Sequence, residues 1–297
     1  MQLPANGADL IVPPPPGWEI IGGGCTARVE RRFDSDEVVK LKYSDCPNPD
    51  CSRRELEREY AIYQRLPPHP RLLTLLPGST PQRLVLPYLP NGTLSARLTD
   101  PDAAPLTIAQ RLQLATDAAE GVAVLHAHGV MHSDLQPSNF RFDGEHRLRV
   151  IDFAGLQLDG EQGTAMESTR YFLPRSYDEP STPRTDLFAL GSVLYAIFSG
   201  RAPYANQEDD EVTRLFSEGD FPTTGVWVGG EVITRCWTGD YAAASEAHRA
   251  LADLLAEHDE SQACCPPVSP AKLSDCTINV SLQVSSRSLG TYVTSKD

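Results

Sequence analysis

Basic side chains are scarce in this chain of 297 residues: 26 Lys and Arg stand against 40 Asp and Glu, a formal net charge of −14. That balance argues against nucleic acid or an anionic membrane as the main partner, because both reward basic surfaces. Long apolar runs are missing too. The longest, around residues 187–198, falls short of a membrane span and carries Gly191 and Ser192. The first 20 residues lack a basic leader, and Leu10-Ile11-Val12 is too short an apolar core for a secretory signal. Paired cysteines are also absent as a pattern: the seven present are an odd count without framework spacing. Reduced thiols in cytoplasm or nucleus are the reading that follows. Cys46 and Cys51 are half a zinc pattern with no second pair at metal spacing. No internal repeat is evident.

What is present divides in two. Residues 1–16, with Pro13-Pro14-Pro15-Pro16, read as a flexible lead. Residues 17–89 are strand-rich: hairpins over 19–43, a helix over 52–66 stopped by Pro67-Pro68, and strands over 72–76 and 83–88. Residues 90–258 turn helical, with amphipathic or apolar periods over 108–128, 186–198, 208–218, 230–237 and 243–257. Residues 259–297 are Ser-rich without a core-building period and read as a disordered tail. The expectation is an α+β fold of two lobes, a sheet with one helix followed by a mainly helical half, in a monomer.

One constellation carries chemistry. His132-Ser133-Asp134-Leu135-Gln136-Pro137-Ser138-Asn139 is followed by Ile151-Asp152-Phe153-Ala154-Gly155. An Asp, an Asn five positions on and a second Asp thirteen beyond that suit magnesium-dependent phosphoryl transfer. One carboxylate orients the attacking hydroxyl, while an amide oxygen and the second carboxylate supply hard ligands for Mg²⁺.

Order and spacing resemble the protein-kinase family (H-R-D-L-x-x-x-N, then D-F-G). Other segments extend the resemblance to about residues 17–258. Ile21-Gly22-Gly23-Gly24-Cys25-Thr26-Ala27-Arg28-Val29 resembles the phosphate-covering loop, in which Ile21 and Val29 roof the adenine and the Gly22 and Gly24 backbone approaches phosphate oxygens. Val38-Val39-Lys40 resembles V-A-I-K, with Val38 against the base and Lys40 on the phosphates. Lys42 shares that face and is the alternative. Glu59 matches E-x-x-x-x-x-x-L…H-P through Leu66 and His69-Pro70, which makes it the partner of Lys40, with Tyr63 one turn later. Leu86-Pro87-Tyr88-Leu89 looks like the gatekeeper and hinge, Leu86 limiting the pocket and Leu89 offering N–H and C=O to adenine. Thr93 would cap the next helix and touch the ribose. Tyr171-Phe172-Leu173-Pro174 resembles the end of the activation segment, and Asp186 through Gly191 the central helix, with Asp186 holding the turn before Asp134. The resemblance implies ATP and Mg²⁺ as cofactors, Asp134 as catalytic base, Asn139 and Asp152 as metal ligands, and a Ser/Thr hydroxyl of a protein substrate. The chain resembles compact, stand-alone kinase-like proteins of fungi more than large signalling kinases.

Departures accompany the matches. Ser133 replaces the Arg that receives an activation-loop phosphate, so neither Ser168 nor Thr169 is expected to be an obligatory switch. Gln136 replaces the lysine that neutralises the transferred group, a loss of roughly 2–4 kcal/mol in barrier terms. Ala154 stands for a Gly. Arg175 replaces the Glu of A-P-E, whose partner arginine is missing as well, so both ends of that pair are gone. Arg141 occupies the adenine floor, where its aliphatic stem serves if the guanidinium turns aside. These changes keep a second reading open, a pseudokinase that scaffolds or binds nucleotide. A third, a small-molecule phosphotransferase resembling aminoglycoside or choline kinases, is disfavoured by the activation segment and the Asp186–Gly191 helix.

Overall fold

The computed structural model describes residues 13–24, 27–42, 49–161 and 163–263. Cys25, Thr26, Cys46, most of the N-terminal lead and all of the tail after Ala263 lie outside them. The first half builds an antiparallel sheet in chain order from β1 (Trp18–Gly23), β2 (Ala27–Arg32), β3 (Glu37–Lys42) and β4 (Arg83–Pro87). Alternation along β3 buries Val38 and Lys40 on one face, and helix α1 (Pro49–Arg65) packs against β3 and β4. The second half comprises α2 (Leu94–Thr99), α3 (Ile108–Ala127), short strands β5 (Val130–Met131), β6 (Phe140–Phe142), β7 (Leu148–Val150) and β8 (Gln157–Leu158), then α4 (Pro183–Ser199), α5 (Asp209–Ser217), α6 (Gly230–Thr238) and α7 (Ala244–Ala263).

The strand expected over residues 72–76 does not form. Leu72 makes only an isolated bridge to Val150, and Leu76 N donates to Val85 O at 2.8 Å. Beyond that bond the Ser79 hydroxyl takes the ladder's place, accepting from Val85 N at 3.0 Å and donating to Leu76 O at 2.8 Å. A side chain that satisfies the backbone locally ends the sheet there. Helix α7 also outruns its expected end at residue 257, reaching Ala263, and of the added residues Glu260, Gln262 and Ala263 are good helix formers. Grouped by contacts, residues 1–259 form one unit and 260–297 a second, of which only the last helical turn is described.

Helix α4 is the axis of the helical half. It is buried from Thr185 to Phe198, apolar almost all round, and capped at both ends by Thr182 and Gly200. Gly191 lets α6 approach: a Cβ there would sit 2.9 Å from Cys236 Cβ and 3.0 Å from Trp237 Cδ1. The buried indole of Trp237 donates to Ser192 Oγ at 3.1 Å. This packing seats the middle of α4, whose first turn holds the site below. No described helix is long and apolar enough to cross a membrane.

Candidate active site

Asp186, in that first turn, is fully buried, and its carboxylate accepts from His132 N at 2.7 Å and Ser133 N at 2.9 Å. His126 Nε2 lies 2.9 Å from the same carboxylate. These bonds hold Ser133 in the left-handed region (φ 60°), a conformation costly for a non-glycine residue, immediately before Asp134. Burial pushes the Asp186 carboxyl up, but the His126 bond and the adjacent histidine charges outweigh it, so it sits below its ordinary range. A depressed folded value means the stabilisation is complete above the unfolded carboxylate range and is lost as pH falls through the folded value. The stability gap between wild type and Asp186→Asn, read as urea midpoints, is therefore expected to narrow from neutrality to below roughly pH 4. A gap independent of pH would show that the charge of Asp186 contributes nothing.

Past the turn, a 3-10 segment (Pro137–Asn139) swings Asn139 back onto Asp134. Asn139 Nδ2 donates to Asp134 O at 2.7 Å and to Asp134 Oδ2 at 3.0 Å, while Gln136 Nε2 donates to Oδ1 at 2.9 Å. The amide nitrogen of Asn139 is thus engaged, and its oxygen is the end turned away from Asp134. Burial raises the Asp134 carboxyl above its ordinary range, against the His132 charge and both amide bonds.

Strand β7 leads into Asp152, also left-handed at φ 63°. Its carboxylate lies 2.8 Å from Lys40 Nζ, which reaches Glu59 at 2.9 and 3.1 Å. The exposed Lys42 takes no part, and Glu55 and Glu57 bind Thr164 and Arg53 instead. Burial would lower the Lys40 ammonium, but Glu59 and Asp152 more than offset it and hold it raised and charged. Desolvation likewise works against the Asp152 carboxylate, and the Lys40 charge and hydrogen bond keep it low. Phe153 is buried between Tyr63 (centroids 4.8 Å apart) and His132 (6.3 Å), an aromatic chain from α1 to the turn before Asp134. The positive φ that a Gly at 154 would serve falls one residue later, at Gly155, where a Cβ would meet Thr164 Oγ1 at 2.6 Å.

Asp134, Asn139, Asp152, Lys40 and Glu59 all border one cavity of about 610 Å³ between the sheet and the helical half. At its other end lie Ile21, Val29, Val38, Leu86, Leu89 and Thr93, above Arg141. Thr93 Oγ1 accepts from Ala96 N at 3.1 Å as the cap of α2, leaving its hydroxyl proton free to donate. Gly22 and Gly24 also line the cavity, yet neither has a positive φ nor any atom within 4 Å of an added Cβ. Nothing in the described packing requires glycine at either position. The Arg141 guanidinium is not turned aside: Nη2 donates to the Leu89 carbonyl at 3.0 Å.

Arg175 differs from expectation as well. Its side chain is only 9% exposed, and it pairs at 2.9 Å with the fully buried side chain of Glu167. A new acid eight residues upstream has replaced the missing partner, and the Arg175 guanidinium lies over Phe172 at 4.5 Å. Nothing in local periodicity announced Glu167.

The donor set at the inner end fits Mg²⁺. Asp152 offers a half-exposed carboxylate and Asn139 an amide oxygen, both hard. Among the described residues, no cluster of three or more His, Cys, Asp or Glu would hold a metal alone. Mg²⁺ needs none, because it binds through one or two carboxylates together with substrate phosphates.

Comparison with known proteins agrees with this geometry. The family model described as Protein kinase domain matches residues 18–260. A DNA damage-responsive serine/threonine-protein kinase, RqkA of Deinococcus radiodurans, is 30% identical over 208 residues, 65% of this chain and 31% of its own length. Serine/threonine-protein kinase 12 of Arabidopsis thaliana is 30% identical over 192 residues, 61% of this chain and 41% of its own. The serine/threonine/tyrosine-protein kinase HT1 of the same plant is 24% identical over 253 residues, 80% of this chain and 64% of its own. The chain thus spans less than two thirds of the length of these relatives.

Proposed function

Because the chain belongs to the protein kinase family, we propose that it is an active ATP- and Mg²⁺-dependent kinase that transfers the γ-phosphoryl group to a Ser or Thr hydroxyl of a protein. The observation that carries this reading is Lys40, held between Glu59 and Asp152 at the wall of a cavity that Asp134 and Asn139 also line. Two of its three ammonium donors meet carboxylates, which leaves a third for α- and β-phosphate oxygens. Asp134 orients the attacking hydroxyl and accepts its proton, and its raised carboxyl makes it the stronger base. Asn139 and Asp152 hold Mg²⁺, whose charge, when bound, offsets that of the phosphates. Gly22 and Gly24 support the same reading, since close approach of phosphate to backbone accounts for glycines that the fold itself does not need. The names of these relatives, serine/threonine-protein kinases, favour Ser/Thr as acceptor.

Thermal shift tests the nucleotide site. Mg²⁺-ATP is expected to raise the melting temperature by several degrees, roughly 2–3 kcal/mol at a hundredfold excess over Kd. In Asp152→Asn the Mg²⁺-dependent part of that shift should disappear. A wild-type melting curve unmoved by Mg²⁺-ATP would reject the proposal. Gln136, which brings no charge where a lysine is usual, favours the second reading of a nucleotide-binding pseudokinase. That reading accepts the thermal shift and denies the turnover.

A further inference from the structure

Arg141 has no part in the phosphotransfer chemistry, yet it engages the base end of the same cavity. It lies in β6, bridged to Thr93, and directs its charge onto a neutral carbonyl, that of Leu89. Which way the hinge groups face follows from β4. Tyr88 N donates to Asp36 O at 2.7 Å, toward β3. Along an extended segment successive residues alternate, so the Pro87 carbonyl and both polar groups of Leu89 face away from β3, toward the cavity they line. Proline has no N–H to offer. The hinge edge therefore presents an acceptor at Pro87, a donor at Leu89 N and a second acceptor at Leu89 O.

Adenine offers its 6-amino donor and N1 acceptor to the first two groups, and only a C–H at position 2 to the third. A purine with a 2-amino group would need Leu89 O as its acceptor. One lone pair of that oxygen already takes a charge-assisted bond from Arg141. The guanidinium beside it carries five N–H donors and no acceptor, so it repels a further donor.

We infer that Arg141 is a base-specificity residue: by occupying the Leu89 carbonyl it withholds the hydrogen bond that an amino group at position 2 of a purine would otherwise gain there. This rests on the hinge being the base site. Arg141→Met keeps an unbranched stem and removes the guanidinium.

Titration of Mg²⁺-ATP against Mg²⁺-2-amino-ATP (the 2,6-diaminopurine ribonucleoside triphosphate) tests it in both proteins. In the wild type the extra amine is expected to gain nothing, the two affinities agreeing within about twofold. In Arg141→Met, 2-amino-ATP should be preferred by about fivefold, the worth of one net hydrogen bond. A wild type that already prefers 2-amino-ATP by that factor overturns the inference without any variant. So does a preference that Arg141→Met leaves unmoved while both nucleotides still bind. Failure of both nucleotides to bind the wild type overturns the base-site reading itself, and the inference with it.

Discussion

Asp134→Asn is expected to lower phosphotransfer by roughly 10²–10⁴-fold, the usual contribution of a positioned general base. Binding of Mg²⁺-ATP, followed by thermal shift, should survive. Asparagine matches the shape of the carboxylate but cannot accept a proton. It also offers an N–H where only acceptors fit, because Gln136 Nε2 and Asn139 Nδ2 each donate to one carboxylate oxygen. One of those two bonds must break. The readout is autophosphorylation and phosphorylation of a generic Ser/Thr substrate, compared at equal protein concentration. Signal that is the same in both proteins would mean that transfer does not run through Asp134, and retained binding without turnover in either would identify a pseudokinase.

Arg175→Ala should destabilise the fold by about 3–5 kcal/mol near neutral pH, the cost of leaving a buried charge without its partner. Glu167 has no exposed side-chain surface, and burial already pushes its carboxyl up against the Arg175 charge. The penalty should shrink as pH falls, since a protonated Glu167 buries no charge. Replacing both residues by methionine should recover most of the loss, because an apolar pair of similar volume avoids the desolvation penalty. Urea midpoints of the two single variants and the double variant decide the matter. A cost below about 1 kcal/mol for Arg175→Ala, typical of exposed pairs, would rule out a buried tie. This bond joins two points of the stretch between Asp152 and α4, in a chain where Ser133 leaves no arginine before Asp134 to receive a phosphate.

The order of the elements was legible because it is written in local patterns. Helices α3 and α4 follow from the apolar period over residues 108–128 and 186–198, and their capping threonines stand one residue before each helix. The pairing of Asn139 with Asp134 was legible for a similar reason. Asp134 and Asn139 are five residues apart, and a single tight segment returns one side chain to the other. What failed was local as well: the strand expected over 72–76 lost its ladder to the Ser79 hydroxyl, a competition that apolar alternation does not report.

Sequence alone determined the two-part architecture and narrowed the chemistry to a short set of side chains, because period and spacing constrain residues that are near in the chain. Only the tertiary structure decided the partners across long separations. It gave Arg175 a partner in Glu167 and aimed Arg141 at the Leu89 carbonyl, whereas Glu59 as the partner of Lys40 was already implied by motif spacing. Those choices depend on which charged groups the fold desolvates together, since a buried charge must be compensated by whatever packing brings within reach, and no one-dimensional pattern encodes that distance.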